Sequence, residues 1–305
     1  MYLELFFHEG LGVVAVPLFF VISGASFFRN YFPEDFGRKL KGRIKSLAIP
    51  YFTWNVIISA GYILIYVTPI KNLLGAKNEF LLTAEYLFEA IFLHKRIAAF
   101  WFIYNLMAFV ILTPVFDFFL RNKWLTGVFA LFLLMLPLFA TVPMSRYGLW
   151  AIAPVYYFAG CIIGKYKFDW FSRFSRRFTV PCIVLCVFCV ASLMCNAVGI
   201  IHIPVVFRQI VVIIYSLAFW KAMDIVCVRI GNHDCVNYNF IIYALHPFVQ
   251  ALLVKVLVRL LPRSGWAALA VYISAAILTI ALIVLFGKTV KKISPRLYYL
   301  LSGGR

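Results

Sequence analysis

Val16 to Phe28 reads V-P-L-F-F-V-I-S-G-A-S-F-F, an almost purely apolar stretch. A basic segment, Arg38 to Lys45, follows it. The chain then re-enters apolar sequence at L-A-I-P-Y-F-T-W-N, Leu47 to Asn55. Apolar run, short cationic connection, apolar run: that order describes a chain that crosses a lipid bilayer and turns back.

Composition extends the reading to all 305 residues. Apolar residues make up 64% of the chain, aromatics 18% and charged residues only 13%, against about 25% charged in a soluble domain. A helix needs roughly 20 apolar residues to span a bilayer. Nine runs qualify: 10–28, 47–68, 97–119, 124–144, 147–164, 180–201, 209–227, 238–261 and 266–287. Only helices and closed barrels satisfy their backbone polar groups in lipid, and these runs lack the period-two alternation of barrel strands. The expected fold is therefore all-α, a polytopic transmembrane helical bundle of about nine spans. It is read as a single domain over 1–305, with a basic tail at 288–305.

A net charge of +18 would suit nucleic acid, but its placement argues otherwise. With the N-terminus outside and the sides alternating, most Lys and Arg residues gather on one face. They include Arg29, Arg38, Lys39, Lys41, Arg43 and Lys45, then Arg121 and Lys123, then Lys165 to Arg177, and the tail. Positive residues accumulate on the cytoplasmic side of membrane proteins, so the excess is a topology signal and no nucleic-acid partner is expected. The same loops attract anionic lipid head groups or a phosphate-rich cosubstrate. A multi-pass protein of the cell inner membrane follows, with a cytoplasmic tail. Residues 1–9 hold no Lys or Arg and do not make a signal-peptide start. Either a preceding helix is missing or the short N-terminal tail crosses unaided.

The seven cysteines form no disulfide framework, and Cys182, Cys186 and Cys189 lie at helical spacing without a flanking His or carboxylate, so no metal is expected. Pro17, Pro114, Pro137, Pro154 and Pro247 fall well inside apolar runs, each freeing a carbonyl that must find another donor. Residues 79–93 are amphipathic and suit a surface helix.

Candidates for chemistry are the polar residues at membrane depth. His246 sits in Y-A-L-H-P, with Pro247 releasing the carbonyl of Tyr243. An imidazole at such a break either works in acid–base chemistry or satisfies that carbonyl. Asn55 and Asn105 either tie helices together or contact substrate. Ser23, Gly24 and Ser26 offer a small-residue face for close helix approach. Lys221 and Asp224 read as a structural pair, Asp117 as an interfacial carboxylate, and Lys255 with Arg259 as snorkelling cations. His8 and Glu9 form a neighbour pair near the chain start. No G-x-S-x-G elbow exists for a serine nucleophile.

Four stretches together resemble the integral-membrane acyltransferase family 3. They are V-P-L-F-F-V-I-S-G (16–24), R-I-K-S-L-A-I-P-Y-F-T-W (43–54), F-W-F-I-Y (100–104) and Y-N-F-I-I-Y-A-L-H-P (238–247). The resemblance implies a ten-helix enzyme that uses cytoplasmic acyl-CoA, acetyl-CoA in the simplest case, as cosubstrate with no bound cofactor. It further implies a first helix carrying an Arg or Lys and a catalytic histidine. Met1 already lies in the loop that would follow that helix, so a truncated start is expected. The family's paired loop arginines reduce here to Arg43, with Ser46 in the second place, and Ala99 and Phe100 stand where a histidine often precedes W-F-L.

The expected activity is O-acyl transfer to a hydroxyl of a cell-surface polysaccharide or lipid-linked sugar. His246 is the candidate catalytic base among the residues present. Arg43, assisted by Lys41 and Lys45, is the candidate phosphate clamp, and Asn55, Trp101 and Tyr243 are candidates to line the pocket. An envelope lipid or sugar transporter, or an inactive membrane remnant, are the alternatives. Membrane lipids, acyl-CoA and the glycan acceptor are the expected partners.

Overall fold

The computed structural model describes residues 5–68, 83–93, 95–139, 150–167, 178–230, 237–260 and 264–304. Among them lie α1 (Phe6–Phe28), α2 (Pro33–Val67), α3 (Ala84–Phe92), α4 (Ala98–Ile111), α5 (Thr113–Phe119) and α6 (Lys123–Phe139). There follow α7 (Ala153–Ile162), α8 (Thr179–Ala197), α9 (Val205–Ile230), α10 (Asn239–Leu260), α11 (Gly265–Ile293) and α12 (Pro295–Ser302). No strand occurs among the described residues. The protein is an all-α, polytopic helical bundle.

Each of the nine apolar runs contains helix among its described residues. Six helices are long and apolar enough to cross a membrane, and α4 with α5, bent by 62° at their break, makes a seventh. Over the described residues α6 (17 residues) and α7 (10 residues) fall short of that length. Two prolines act differently from expectation. Pro114 and Pro154 open helices α5 and α7 in the first turn, where a missing N–H costs nothing. Pro17, Pro137 and Pro247 do lie inside helices. The basic segment after α1 is also helical. Pro33 opens α2, Asp35 accepts from Arg38 at 2.7 Å within its first turns, and the helix runs on through a wide turn at Ile44–Ala48.

The chain divides into two compact units, Met1–Leu40 with Asn105–Gly231, and Lys41–Tyr104 with Asn232–Arg305. In the first unit α1 packs closely along α7. A Cβ on Gly24 would fall 2.2 Å from the Tyr157 carbonyl oxygen, and one on Gly160 would fall 2.1 Å from the Val21 carbonyl oxygen. Gly164, one turn on, would meet the Ala25 oxygen at 2.5 Å. In lipid there is no hydrophobic drive between helices, so small residues that bring backbones together hold the pair through dispersion and weak Cα–H···O contacts. The expected face was Ser23–Gly24–Ser26, but Ser26 is exposed and Ala25 takes its place. The partner signal, G-C-I-I-G at 160–164, stands in the sequence as a small-xxx-small motif. Around this seam Phe20, Phe109, Phe116 and Tyr157 form an aromatic core with centroids 5.2–6.1 Å apart.

Several charged groups in this unit are paired, whereas the buried Gln209 amide has no hydrogen-bond partner. Asp117, expected at an interface, is buried; Lys165 donates to it at 2.7 Å and Arg121 lies at 3.5 Å. A buried carboxylate without such partners would cost several kcal/mol. Glu9 meets Arg208 at 2.9 Å while His8 beside it stays exposed, so the pair at the chain start anchors α9 to α1. Lys39 donates to the Phe27 carbonyl at 2.7 Å and lies 5.3 Å from the Phe27 and Tyr31 rings, closing the C-terminal end of α1 with a cation. Lys221 is buried, and the side chain of its expected partner Asp224 lies outside the described residues. The Tyr31 phenol is pushed above its ordinary range by burial first, then by the Asp117, Glu34 and Asp35 carboxylates.

In the second unit α10 packs along α11, and α2 contacts α3 and α12. The basic tail is helical: α12 turns back so that the Trp54 indole N–H donates to the Leu301 carbonyl at 3.0 Å. Gly303 ends α12 at φ +72°, a left-handed position that favours glycine, and a Cβ there would fall 2.6 Å from the Ser46 carbonyl oxygen. The expected surface helix at 79–93 appears as α3, capped by Thr83, whose hydroxyl accepts from the Tyr86 N–H at 3.1 Å; residues 79–82 lie outside the described residues.

Gly160→Leu should destabilise the detergent-solubilised protein by about 1–3 kcal/mol or more, the range for forced overpacking. Gly127→Ala on α6, whose Cβ would meet nothing within 4 Å, should leave the unfolding temperature unchanged or raise it.

Candidate functional site

The residues singled out for chemistry, Lys41, Arg43, Lys45, Asn55, Trp101, Tyr243 and His246, all belong to the second unit. Three of the four motif segments therefore meet there. A column of rings connects them: Tyr51 of α2 stacks on Phe100 at 5.4 Å, and Phe100 stacks on Tyr243 of α10 at 5.7 Å with planes only 4° apart. Tyr243 in turn approaches His246 at 6.2 Å. Tyr51 and Phe100 are fully buried, and each offset pair adds about 0.5–1.5 kcal/mol beyond its buried area. Two phenols fix the column to backbone, Tyr51 donating to the Phe92 carbonyl at 2.8 Å and Tyr243 to the Ala99 carbonyl. Trp101 follows Phe100 directly and is half-buried at the start of α4.

His246 shows how proline shapes the site. Pro247 has no N–H, so the Tyr243 carbonyl loses its helical donor. His246 Nδ1 lies 2.9 Å from that oxygen and 3.2 Å from the Ile242 oxygen. Both neighbours can only accept, so Nδ1 carries a proton, and in the neutral tautomer the lone pair is on Nε2. No described residue takes that lone pair within hydrogen-bond distance. The histidine thus satisfies the freed carbonyl with one nitrogen and keeps the other available.

The two amides separate. Asn105, in the first unit, accepts from the Trp150 N–H at 3.1 Å and so ties α4 to the segment before α7. Asn55 is fully buried, yet its side-chain N–H bonds only its own helix, the Tyr51 carbonyl at 3.1 Å, and its Oδ1 has no partner. One turn on, the buried Ser59 hydroxyl is also unpartnered. Ser59 was not singled out from sequence, although its spacing from Asn55 and Tyr51 is a legible stripe.

The basic group lies apart from the ring column. Arg43 is half-buried, while Lys41 and Lys45 are exposed. Arg43 stands roughly 18 Å from Asn55 along α2 at 1.5 Å per residue. On the other side of Asn55, Arg96 lies 5.1 Å from the Tyr62 ring and 4.5 Å from the Tyr86 ring. Among the described residues no group of three or more His, Cys, Asp or Glu side chains could hold a metal ion.

The family described as an acyltransferase domain, acyltransferase family 3, matches residues 1–288. The chain belongs to acyltransferase family 3. No curated protein and no solved structure matches it. As a family 3 member with several membrane-length helices it is a multi-pass membrane acyltransferase, and the matched span takes in the basic segment, the ring column and His246 alike. Beyond that span, α12 contributes Tyr298, whose phenol donates to the Asn237 carbonyl at 2.8 Å. Its pKa is raised by burial first and by Tyr238 next, and a bond with Ser302 offsets part of the rise.

Phe100→Ala should lower stability by about 3–5 kcal/mol, the cost of removing a buried aromatic. Tyr243→Phe should cost about 1 kcal/mol, one hydrogen bond. Denaturant titration of the purified protein, read by tryptophan fluorescence, measures both.

Proposed function

We propose that this family 3 acyltransferase moves an acyl group, acetyl in the simplest case, from cytoplasmic acyl-CoA to a hydroxyl of a cell-surface polysaccharide or lipid-linked sugar at the inner membrane. The observation that carries the reading is the state of His246: a ring whose Nδ1–H is committed to the Tyr243 carbonyl, leaving Nε2 as a base next to a helix break. Positioned bases of this kind contribute roughly 10²–10⁴-fold to proton-transfer chemistry.

The reaction follows from ordinary thioester chemistry. Nε2 takes the proton from the acceptor hydroxyl as its oxygen bonds to the thioester carbonyl carbon. The tetrahedral intermediate collapses by breaking the carbon–sulfur bond, and the CoA thiolate leaves, regaining the proton from the imidazolium. Coenzyme A carries its phosphates at the far end of a long pantetheine arm. Phosphate contacts and thioester chemistry should then lie far apart, which suits the separation of Arg43 from the ring column. Arg43 offers a planar fork for phosphate, and Lys41 and Lys45 add charge. Asn55, Trp101 and Tyr243 line the region where the acceptor is read.

His246→Ala in nanodisc-embedded protein should lower the rate of CoA release in the presence of acceptor by 10²-fold or more while thermal stability falls only modestly; full turnover would sink the assignment. Arg43→Ala should raise KM for acetyl-CoA about tenfold, the loss of one charge-assisted contact of about 1.5 kcal/mol, with kcat little changed. An unchanged KM would remove Arg43 from the donor site.

A further inference from the structure

We infer that Asn55, Ser59 and Arg96 form the acceptor subsite and that the acceptor sugar carries a phosphate. The inference rests on the acyl-transfer reading and names the substrate class of that same unit.

Three observations converge on one side of α2. First, Asn55 and Ser59 lie one helical turn apart, 0% and 3% exposed, and the Asn55 Oδ1 and the Ser59 hydroxyl meet no hydrogen-bond partner. A buried polar atom left unpaired costs about 1–3 kcal/mol, and two adjacent ones amount to a standing demand for a ligand donor and acceptor. A sugar hydroxyl is both, so it can donate to Oδ1 and pair with the serine hydroxyl. Second, the same stripe is closed at its other members. Tyr51, four residues before Asn55, has its phenol committed to the Phe92 carbonyl, and Tyr62, three residues beyond Ser59, lies under Arg96. The unmet capacity is therefore confined to the middle of the stripe.

Third, Arg96 is positioned without being neutralised. Its guanidinium lies over the Tyr62 and Tyr86 rings, 5.1 and 4.5 Å from their centroids, which restrains its position. The neighbouring Glu89 is taken by Lys95, and among the described residues no carboxylate lies within ion-pair distance of Arg96. A held, half-buried guanidinium with free donors is suited to two-pronged recognition of phosphate. Ser59 and Tyr62 stand about 6 Å and 10 Å along α2 from Asn55 at helical rise, a span that one sugar with a phosphate covers. The cationic end also lies away from the Lys41–Lys45 segment, so a donor phosphate held there does not compete with it.

The test uses the full chain in nanodiscs, with glucose 1-phosphate, glucose and inorganic phosphate as probes in calorimetric or saturation-transfer titrations, and acetyl-CoA titrated separately. Wild type should bind glucose 1-phosphate at least tenfold more tightly than glucose or inorganic phosphate. Arg96→Gln should abolish that preference and leave glucose and acetyl-CoA binding unmoved. Ser59→Ala should weaken glucose and glucose 1-phosphate severalfold without lowering the unfolding temperature, because the hydroxyl it removes makes no bond in the free protein. Where an Arg96 variant fails to fold, Ser59→Ala decides alone: unchanged sugar binding overturns the proposal. So does a wild type that binds inorganic phosphate as well as the sugar phosphate, or an Arg96→Gln protein that keeps its preference. Loss of acetyl-CoA binding and turnover with Arg96-dependent sugar-phosphate binding intact would instead overturn the acyl-transfer reading and leave the subsite standing.

Discussion

A backbone carbonyl in hydrocarbon has no water to bond, and Pro247 leaves the Tyr243 carbonyl without its helical donor. The way α10 answers that demand orients a histidine in the second unit. His246 turns its Nδ1 back to the freed oxygen at 2.9 Å, which commits that nitrogen as a donor and leaves the opposite one without a described partner. The same Tyr243 holds the ring column through its stack on Phe100 and its bond to the Ala99 carbonyl. A helix defect, a histidine and an aromatic anchor thus act as one local device, and satisfaction of the backbone fixes the orientation of the imidazole.

The first unit solves a different problem. Two greasy helices gain nothing from burying apolar surface against each other in lipid, so α1 and α7 adhere by bringing their backbones into contact at Gly24, Gly160 and Gly164. Its charges are matched within the unit, Asp117 with Lys165 and Glu9 with Arg208. The stripe on α2 differs: it carries no matching charge, and its Asn55 Oδ1 and Ser59 hydroxyl are buried without a partner.

Much of this was legible in the linear chain. Apolar run lengths located the helices, and the effect of Pro247 on the carbonyl four residues earlier follows from covalent geometry alone. The ordered motifs pointed to acyltransferase family 3, in agreement with the match over 1–288. Other features were misread for a physical reason. The connection after α1 looked like a loop because it is basic, yet charge does not prevent a helix, and Pro33 with Asp35 starts one. Run 97–119 reads as one straight helix because hydropathy measures composition and does not register the 62° bend between α4 and α5.

Asn55 and Asn105 mark the boundary of sequence reading. Each follows an aromatic residue within an apolar run, and both are buried, so no local rule tells them apart. One meets the Trp150 N–H, 45 residues away in the chain; the other reaches only its own helix and keeps a bare oxygen. Arg96 is a similar case, an ordinary loop cation until the fold brings the Tyr62 and Tyr86 rings against it. The chain alone determined membrane residence, helix placement and the histidine–proline defect, because each depends on neighbours within a turn or two or on bulk apolarity. Which polar atoms end up satisfied, and which stay available to a ligand, was decided by tertiary packing, because a hydrogen-bond partner is a matter of distance in space and direction.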